Sequence, residues 1–163
     1  MAFHGPLQTM AFSPESKQNN NVPGESTASR LNRLSCAFPT IINTKDFSLQ
    51  RPDVRELASC ISSDWTGSMD TQPQGVTWSE QLKLWKARAA QMPNVRFEIT
   101  HSNVDLDEVH GAATVWMEME VLGMGDVVLG AVNEVNWRRV EDDRWECFHT
   151  EGMRGSPGLA LSV

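Results

Sequence analysis

The chain predicts an α+β fold in which a curved antiparallel sheet wraps around N-terminal helices. Three observations carry that expectation. Before Pro93 apolar residues recur at helical spacing in three separate stretches. After Pro93 every periodic stretch alternates with a period of two. Acidic or glycine-containing turns separate those alternating stretches, as in a meander of long strands.

Taken in order, residues 1–25 are rich in Ser, Pro, Asn and Gln and offer little to bury, so they are expected to form a flexible arm. Residues 26–156 are expected to form the domain, and 157–163 a short tail. Leu31, Leu34, Phe38 and Ile41 or Ile42 predict a helix over 27–44, kinked or ended at Pro39. A second helix is predicted over 52–60, with Pro52 in its first turn and Val54, Leu57 and Ile61 on one face. Asp64–Met69 reads as a short strand and Asp70–Gly75 as a loop.

The third helix has the best-defined start. Thr77-Trp-Ser-Glu80 fits the capping box, in which the Thr hydroxyl and the Glu carboxylate each accept a free N–H. Trp78, Leu82, Trp85, Ala89 and Met92 then form one apolar stripe, and Pro93 stops it. Four strands are predicted beyond: Val95–Asn103, Ala112–Val121, Val127–Val140 and Arg144–Thr150. Turns at Asp107-Glu108, Gly123-Met-Gly-Asp126 and Asp142-Asp143 join them.

Composition narrows the function. The 163 residues suit one domain with a real core; 40% are hydrophobic and 21% charged. Twenty-one acidic against 14 basic residues give a net charge of −7, which repels nucleic acid, and no basic patch is visible. No apolar run reaches the ~20 residues of a membrane span, and the start lacks a secretory pattern, so a cytoplasmic protein is expected. Cys36, Cys60 and Cys147 are scattered, without a CxxC pair, so neither zinc nor a disulfide framework is suggested. Six tryptophans and no tyrosine leave acid–base work to carboxylates, histidines or a cysteine.

Three segments carry a family resemblance. They are Pro93-Asn-Val-Arg-Phe97 after the third helix, Trp116-Met-Glu-Met-Glu120, and Asn136-Trp-Arg-Arg-Val-Glu-Asp-Asp-Arg-Trp145 with its strand and acidic turn. Together with the order of elements, they resemble the SnoaL-like polyketide cyclases of the nuclear-transport-factor-2-like superfamily. The closing His149-Thr-Glu-Gly-Met-Arg-Gly155 is similar to the ending of fungal members. The resemblance spans about residues 27–155. It implies a cone-shaped sheet closed by helices, an apolar pocket in the mouth of the cone, and homodimers formed through the outer face of the sheet. It also implies a hydrophobic polycyclic substrate and cofactor-independent proton-transfer chemistry of secondary metabolism: cyclisation, isomerisation or dehydration. The same fold hosts non-catalytic binding modules and pericyclic catalysts, so activity has to be argued from the site.

The cyclases place an acid–base aspartate in the third long strand, a few residues before the acidic turn. By position this chain offers Glu134 or Asn136. One face of the strand carries Val132, Glu134, Asn136 and Arg138, the other Ala131, Asn133, Val135 and Trp137, and either is a possible core face. The expected catalytic set is Glu134 as base, His149 as partner acid and Asn136 as the holder of a developing oxyanion. Plain alternation puts His149 on a face with Trp145, Cys147 and Glu151, and His101 on a face with Phe97 and Ile99. Trp65, His101, Met117, Trp145 and Arg33 are the expected substrate-binding residues. Met117 and Met119 are expected inward, which turns Glu118 and Glu120 outward. No ligand spacing for a metal is present, and neither metal nor cofactor is expected.

Overall fold

A computed structural model describes residues 22–70 and 72–154. Four helices and six strands follow in the order α1 (Thr27–Ser35), α2 (Ala37–Thr44), α3 (Pro52–Cys60), β1 (Ile61–Met69), β2 (Val76–Thr77), α4 (Trp78–Gln91), β3 (Arg96–Asp107), β4 (Ala112–Met124), β5 (Val127–Arg139) and β6 (Trp145–Arg154). The α+β class is therefore observed. Most of the expected arm and all of the expected tail lie outside the described residues. Glu25, the last residue of the arm, is held by Arg33 at 2.8 Å.

The predicted 27–44 helix is two helices, and the break falls at Cys36 instead of Pro39. Pro39 occupies the first turn of α2, where an N–H has no helical acceptor, so the ring is accommodated without a kink. Leu31, Leu34, Phe38 and Ile41 are all buried. α3 begins at Pro52 and buries Val54 and Leu57, while Ile61 already belongs to β1.

The capping box of α4 is formed in both directions. Thr77 accepts from the Glu80 N–H, and the Glu80 carboxylate accepts from the Thr77 N–H at 2.8 Å. Thr77→Ala removes one half of that reciprocal pair. It is expected to cost about 1 kcal/mol, read as a lower urea midpoint with an unchanged slope.

The sheet order is β2-β1-β6-β5-β4-β3. The long strands β3 to β6 form the predicted antiparallel meander. β1, however, pairs in parallel with β6, and the short β2 closes its other edge. Helices cover the inner face. There Leu31, Leu34, Phe38, Ile41 and Leu57 pack with Val115, Met117, Val135 and Trp137 in one core. Trp78 meets Phe38, Trp85 and Trp65 edge-to-face, with ring centroids 6.0, 6.0 and 5.3 Å apart, and so pins α4 to α2 and β1. At the β4–β5 turn Gly123 has φ +83°, and a Cβ there would sit 1.9 Å from the Asn94 carbonyl oxygen, so only glycine fits. No described helix is long and apolar enough to cross a membrane.

Two bulges decide which side chains face the helices. In β3, Ile99 pairs with Met119 but His101 pairs with Glu118, so Thr100 is an extra residue. In β6, Cys147 pairs with Trp137 but His149 pairs with Asn136, so Phe148 is extra. An extra residue shifts the two-residue alternation by one and reverses every side chain beyond it.

Candidate functional site

Burial along β5 settles its faces. Ala131, Val135 and Trp137 are buried on the inner side together with half-buried Asn133, while Val132, Glu134, Asn136 and Arg138 point outward. β6 changes phase at its bulge. Trp145 and Cys147 point inward before it, and Thr150 and Gly152 after it, which leaves His149 and Glu151 on the outer face. His101 is likewise turned outward and exposed by the β3 bulge.

The expected catalytic trio is thus brought together, but on the side of the sheet away from the helices. Asn136 donates to Glu134 Oε1 at 3.0 Å and accepts from the Thr114 hydroxyl at 3.1 Å. His149 Nδ1 lies 2.9 Å from the Thr66 hydroxyl, and Asn136 and His149 are direct cross-strand partners. Glu134 and Glu151 face each other one step along the ladder, and exposed Trp116 lies beside Glu134 on β4. This is a polar band on the outer sheet surface, with no enclosing wall among the described residues.

The expected substrate-binding residues also separate. Met117 and Met119 do point inward, and Glu118 and Glu120 outward. Trp65, Met117 and Trp145 are inward but sit in the packed core, and none of them lines the cavity described below. Arg33 is engaged on the helical layer by Glu25 and by Glu56 at 2.7 Å, which raises its already high pKa further. His101 is exposed on the outer surface of the sheet.

Two groups outside the cavity are tuned by their surroundings. Burial pushes the Cys147 thiol well above its usual range, so it is an inert core residue and no nucleophile. Asp64 is held by a two-pronged contact with the Arg138 guanidinium, at 2.7 and 3.1 Å, and by the Ser62 hydroxyl. Arg138 first, then Ser62, lower its pKa to about 2. The folded value lies below the unfolded one, so this contribution is present above pH ~3.9 and lost as pH falls toward 2. A carboxyl-detected NMR titration is expected to place the Asp64 midpoint near 2 and, in Arg138→Ala, back toward the ordinary aspartate range.

A cavity opens on the other side, between α2, α4 and the inner face of the sheet, with a volume of about 90 Å³. Phe38, Ile42, Trp85, Phe97, Met119 and Met69 give it apolar walls. Among the described residues the polar ones that line it are Asp70, Gln72, Arg88, Asn133 and Arg154. Asp70 follows the last residue of β1, at the rim. Its carboxylate accepts the Arg154 N–H at 3.2 Å and lies 3.6 Å from the Arg154 guanidinium. Gln72 is fixed by a reciprocal amide pair with fully buried Gln81 of α4, at 2.6 and 3.1 Å.

Asn133 projects from the middle of β5, where it pairs laterally with Gly152 of β6, and Gly152 pairs with Met69 of β1. Asn133, Gly152 and Met69 therefore form one row across three strands, and Asp70 stands one residue beyond its end. The row spans two strand spacings, about 10 Å between its outer backbones. Among the described residues no three of His, Cys, Asp and Glu gather into a metal-ligand set.

Sequence reasoning passed over Asp70, Asn133 and Arg154. Asn133 had left a signal, as the one polar residue on the Ala131, Val135 and Trp137 face. Asp70 had left none, because a carboxylate at the start of a Pro- and Gly-containing loop is the ordinary composition of a turn.

No protein-family model and no curated protein matches the chain. Solved structures do match it. One is an NTF2-like protein of unknown function from Pseudomonas putida, at 13% identity and a TM-score of 0.60, covering 83% of this chain and 92% of that one. A proposed dehydratase of the NTF2-like family from Streptomyces avermitilis matches at 18% identity and 0.57, over 82% and 96%. A proposed ketosteroid isomerase from Shewanella frigidimarina matches at 11% and 0.56, over 78% and 95%. Helices on the inner face of a curved mixed sheet, with a cavity between them, constitute in this chain the NTF2-like, or cystatin-like, fold.

Proposed function

We propose that the protein is a cofactor-independent lyase or isomerase that moves a proton on a hydrophobic, ring-bearing carbonyl compound of the kind found in secondary metabolism. The observation that carries this reading is a carboxylate, Asp70, at the rim of an apolar cavity whose inner wall carries an amide, Asn133. In this reading Asp70 takes the role that the family resemblance implies for Glu134. The names borne by the Streptomyces and Shewanella neighbours describe chemistry of the same class.

The step balances without any added reagent. The Asp70 carboxylate takes a proton from the carbon next to a carbonyl, and the C–H electron pair becomes the π bond of an enolate or enol. Charge moves to the carbonyl oxygen, where the Asn133 N–H group donates to it. Returning the proton to the same carbon gives exchange, and returning it to a conjugated carbon gives isomerisation. Where a β-hydroxyl is present, it leaves with that proton as water and the result is dehydration. Apolar walls favour this chemistry because they exclude water that would compete for the enolate oxygen.

Exchange requires only a ketone, so it tests the reading before any natural substrate is known. Purified protein in D2O is expected to speed deuterium incorporation at the α-carbon of 1-tetralone over boiled protein. No acceleration with any cyclic ketone would remove the catalytic reading. A second reading then gains the ground: a ligand-binding module in which Asp70 serves only as the ion-pair partner of Arg154. A pericyclic catalyst, using shape and hydrogen bonds alone, would also show no exchange.

The outer face fits the proposed homodimer. Trp116 and Val132 are 43% and 37% exposed there, and a second copy would cover them.

A further inference from the structure

The row Asn133–Gly152–Met69 has a property that the proton-transfer reading does not use. A Cβ placed on Gly152 would sit 2.2 Å from Met69 Sδ and 2.7 Å from Asn133 Oδ1. Both side chains therefore lean into the space above Gly152, and a Cβ there would push them aside. Gly152 has no positive φ to explain it, so its role is space. The Asn133 amide is half-buried and, among the described residues, makes no hydrogen bond. The other polar groups of the cavity contrast with it. Gln72 is occupied by Gln81 and Asp70 by Arg154. Asn133 alone of these three is seated against apolar neighbours with its hydrogen-bonding capacity open to the cavity.

We propose that Asn133, seated over Gly152, is the specificity-determining anchor of the cavity, and that it selects ligands presenting a neutral carbonyl group at their buried end. The inference rests on the cavity being the functional site, as in the reading above, and adds which residue selects the carbonyl and what seats it. A neutral amide carries no charge to balance, so it does not call for a carboxylate or a phosphate there. A hydrocarbon end would leave the amide unpaired after its water is displaced. A ketone or ester oxygen accepts its N–H and replaces that water. Sites built around such a group discriminate strongly against analogues that lack the matching atom.

The test uses a matched pair of bicyclic probes, 1-tetralone and tetralin, which differ by the carbonyl. Ligand-observed NMR titration of the wild-type protein is expected to show tetralone binding about tenfold tighter. The Asn133 side-chain amide resonances should move with tetralone and stay put with tetralin. Asn133→Leu, similar in size and apolar, is expected to level the two affinities. Gly152→Ala, which crowds the seat while leaving the amide in place, should shrink the preference. Because the resonance shift is read on the wild type, the result stands even if a variant folds poorly. Equal binding of the two probes, binding of neither at millimolar concentration, or a ketone preference that survives in folded Asn133→Leu would each overturn the proposal. A tenfold preference without α-deuterium exchange would uphold the anchor and remove the proton-transfer reading instead.

Discussion

Asp70→Asn is expected to slow α-deuterium exchange on 1-tetralone by about 10²–10⁴-fold, the range that a positioned general base supplies. The substitution is close to isosteric. The Asn oxygen can still accept the Arg154 N–H that Asp70 accepts at 3.2 Å, so the β1–β6 end should keep its geometry. What disappears is the ability to take a proton, together with the ion pair to Arg154, whose partners are 39% and 40% exposed. An exposed pair of that kind contributes about 0–1 kcal/mol, so the thermal midpoint should move by only a few degrees. Ketone affinity should stay within about threefold, because in the proposed arrangement the carbonyl is held by Asn133. The loss then falls on the rate and not on binding. A variant that keeps more than a tenth of the wild-type exchange rate would show that Asp70 is not the base. Glu134→Gln is the necessary companion, and it should leave the rate unchanged. If it abolished exchange instead, the polar band of Glu134, Asn136 and His149 on the outer face would be the reacting centre.

That contrast also shows where the sequence stopped being legible. The helices could be read because three or four apolar positions at a 3.6-residue period, bounded by Pro52 or by the Thr77–Glu80 box, have no other economical meaning. The long strands could be read for the same reason at a period of two. The site could not, because alternation is a running count and one unpaired residue resets it. Thr100 and Phe148 are such residues, and nothing in their chemistry announces a bulge. Plain alternation puts His101 and His149 on the faces of Ile99 and Cys147, and both are turned outward by the residue just before them. Alternation also gives a face and not a depth. Trp65, Met117 and Trp145 do face inward, yet they are packed in the core and not at the cavity wall. Finally, Asp70 meets Arg154 only because β1 lies parallel to β6, a pairing between segments more than 80 residues apart. No local pattern encodes a contact of that range.

Trp137→Ala is expected to cost about 4 kcal/mol, a large part of the 5–15 kcal/mol that holds a domain of this size. Trp137 is 1% exposed and is the largest fully buried side chain among the described residues. Its indole N–H donates to the Ser35 hydroxyl at 3.0 Å, and Ser35 at the end of α1 is itself completely buried. The truncation leaves a cavity between β5 and α1 and an orphaned hydroxyl beside it. The two costs overlap, since water admitted to a large enough hole partly satisfies the hydroxyl. Trp137→Phe separates them, keeping most of the apolar contact while losing the donor, and should cost less. The measurement is urea denaturation, and its value lies in the comparison along one strand. Glu134→Gln, three residues away on the same β5, should change stability by no more than about 0.5 kcal/mol, because it sits on the outer surface. A large loss at Trp137 beside a negligible one at Glu134 fixes which side of β5 faces the helices. The opposite pattern would mean the register of β5 is displaced by one residue. Asn133 would then leave the cavity, and the proposed carbonyl anchor would go with it.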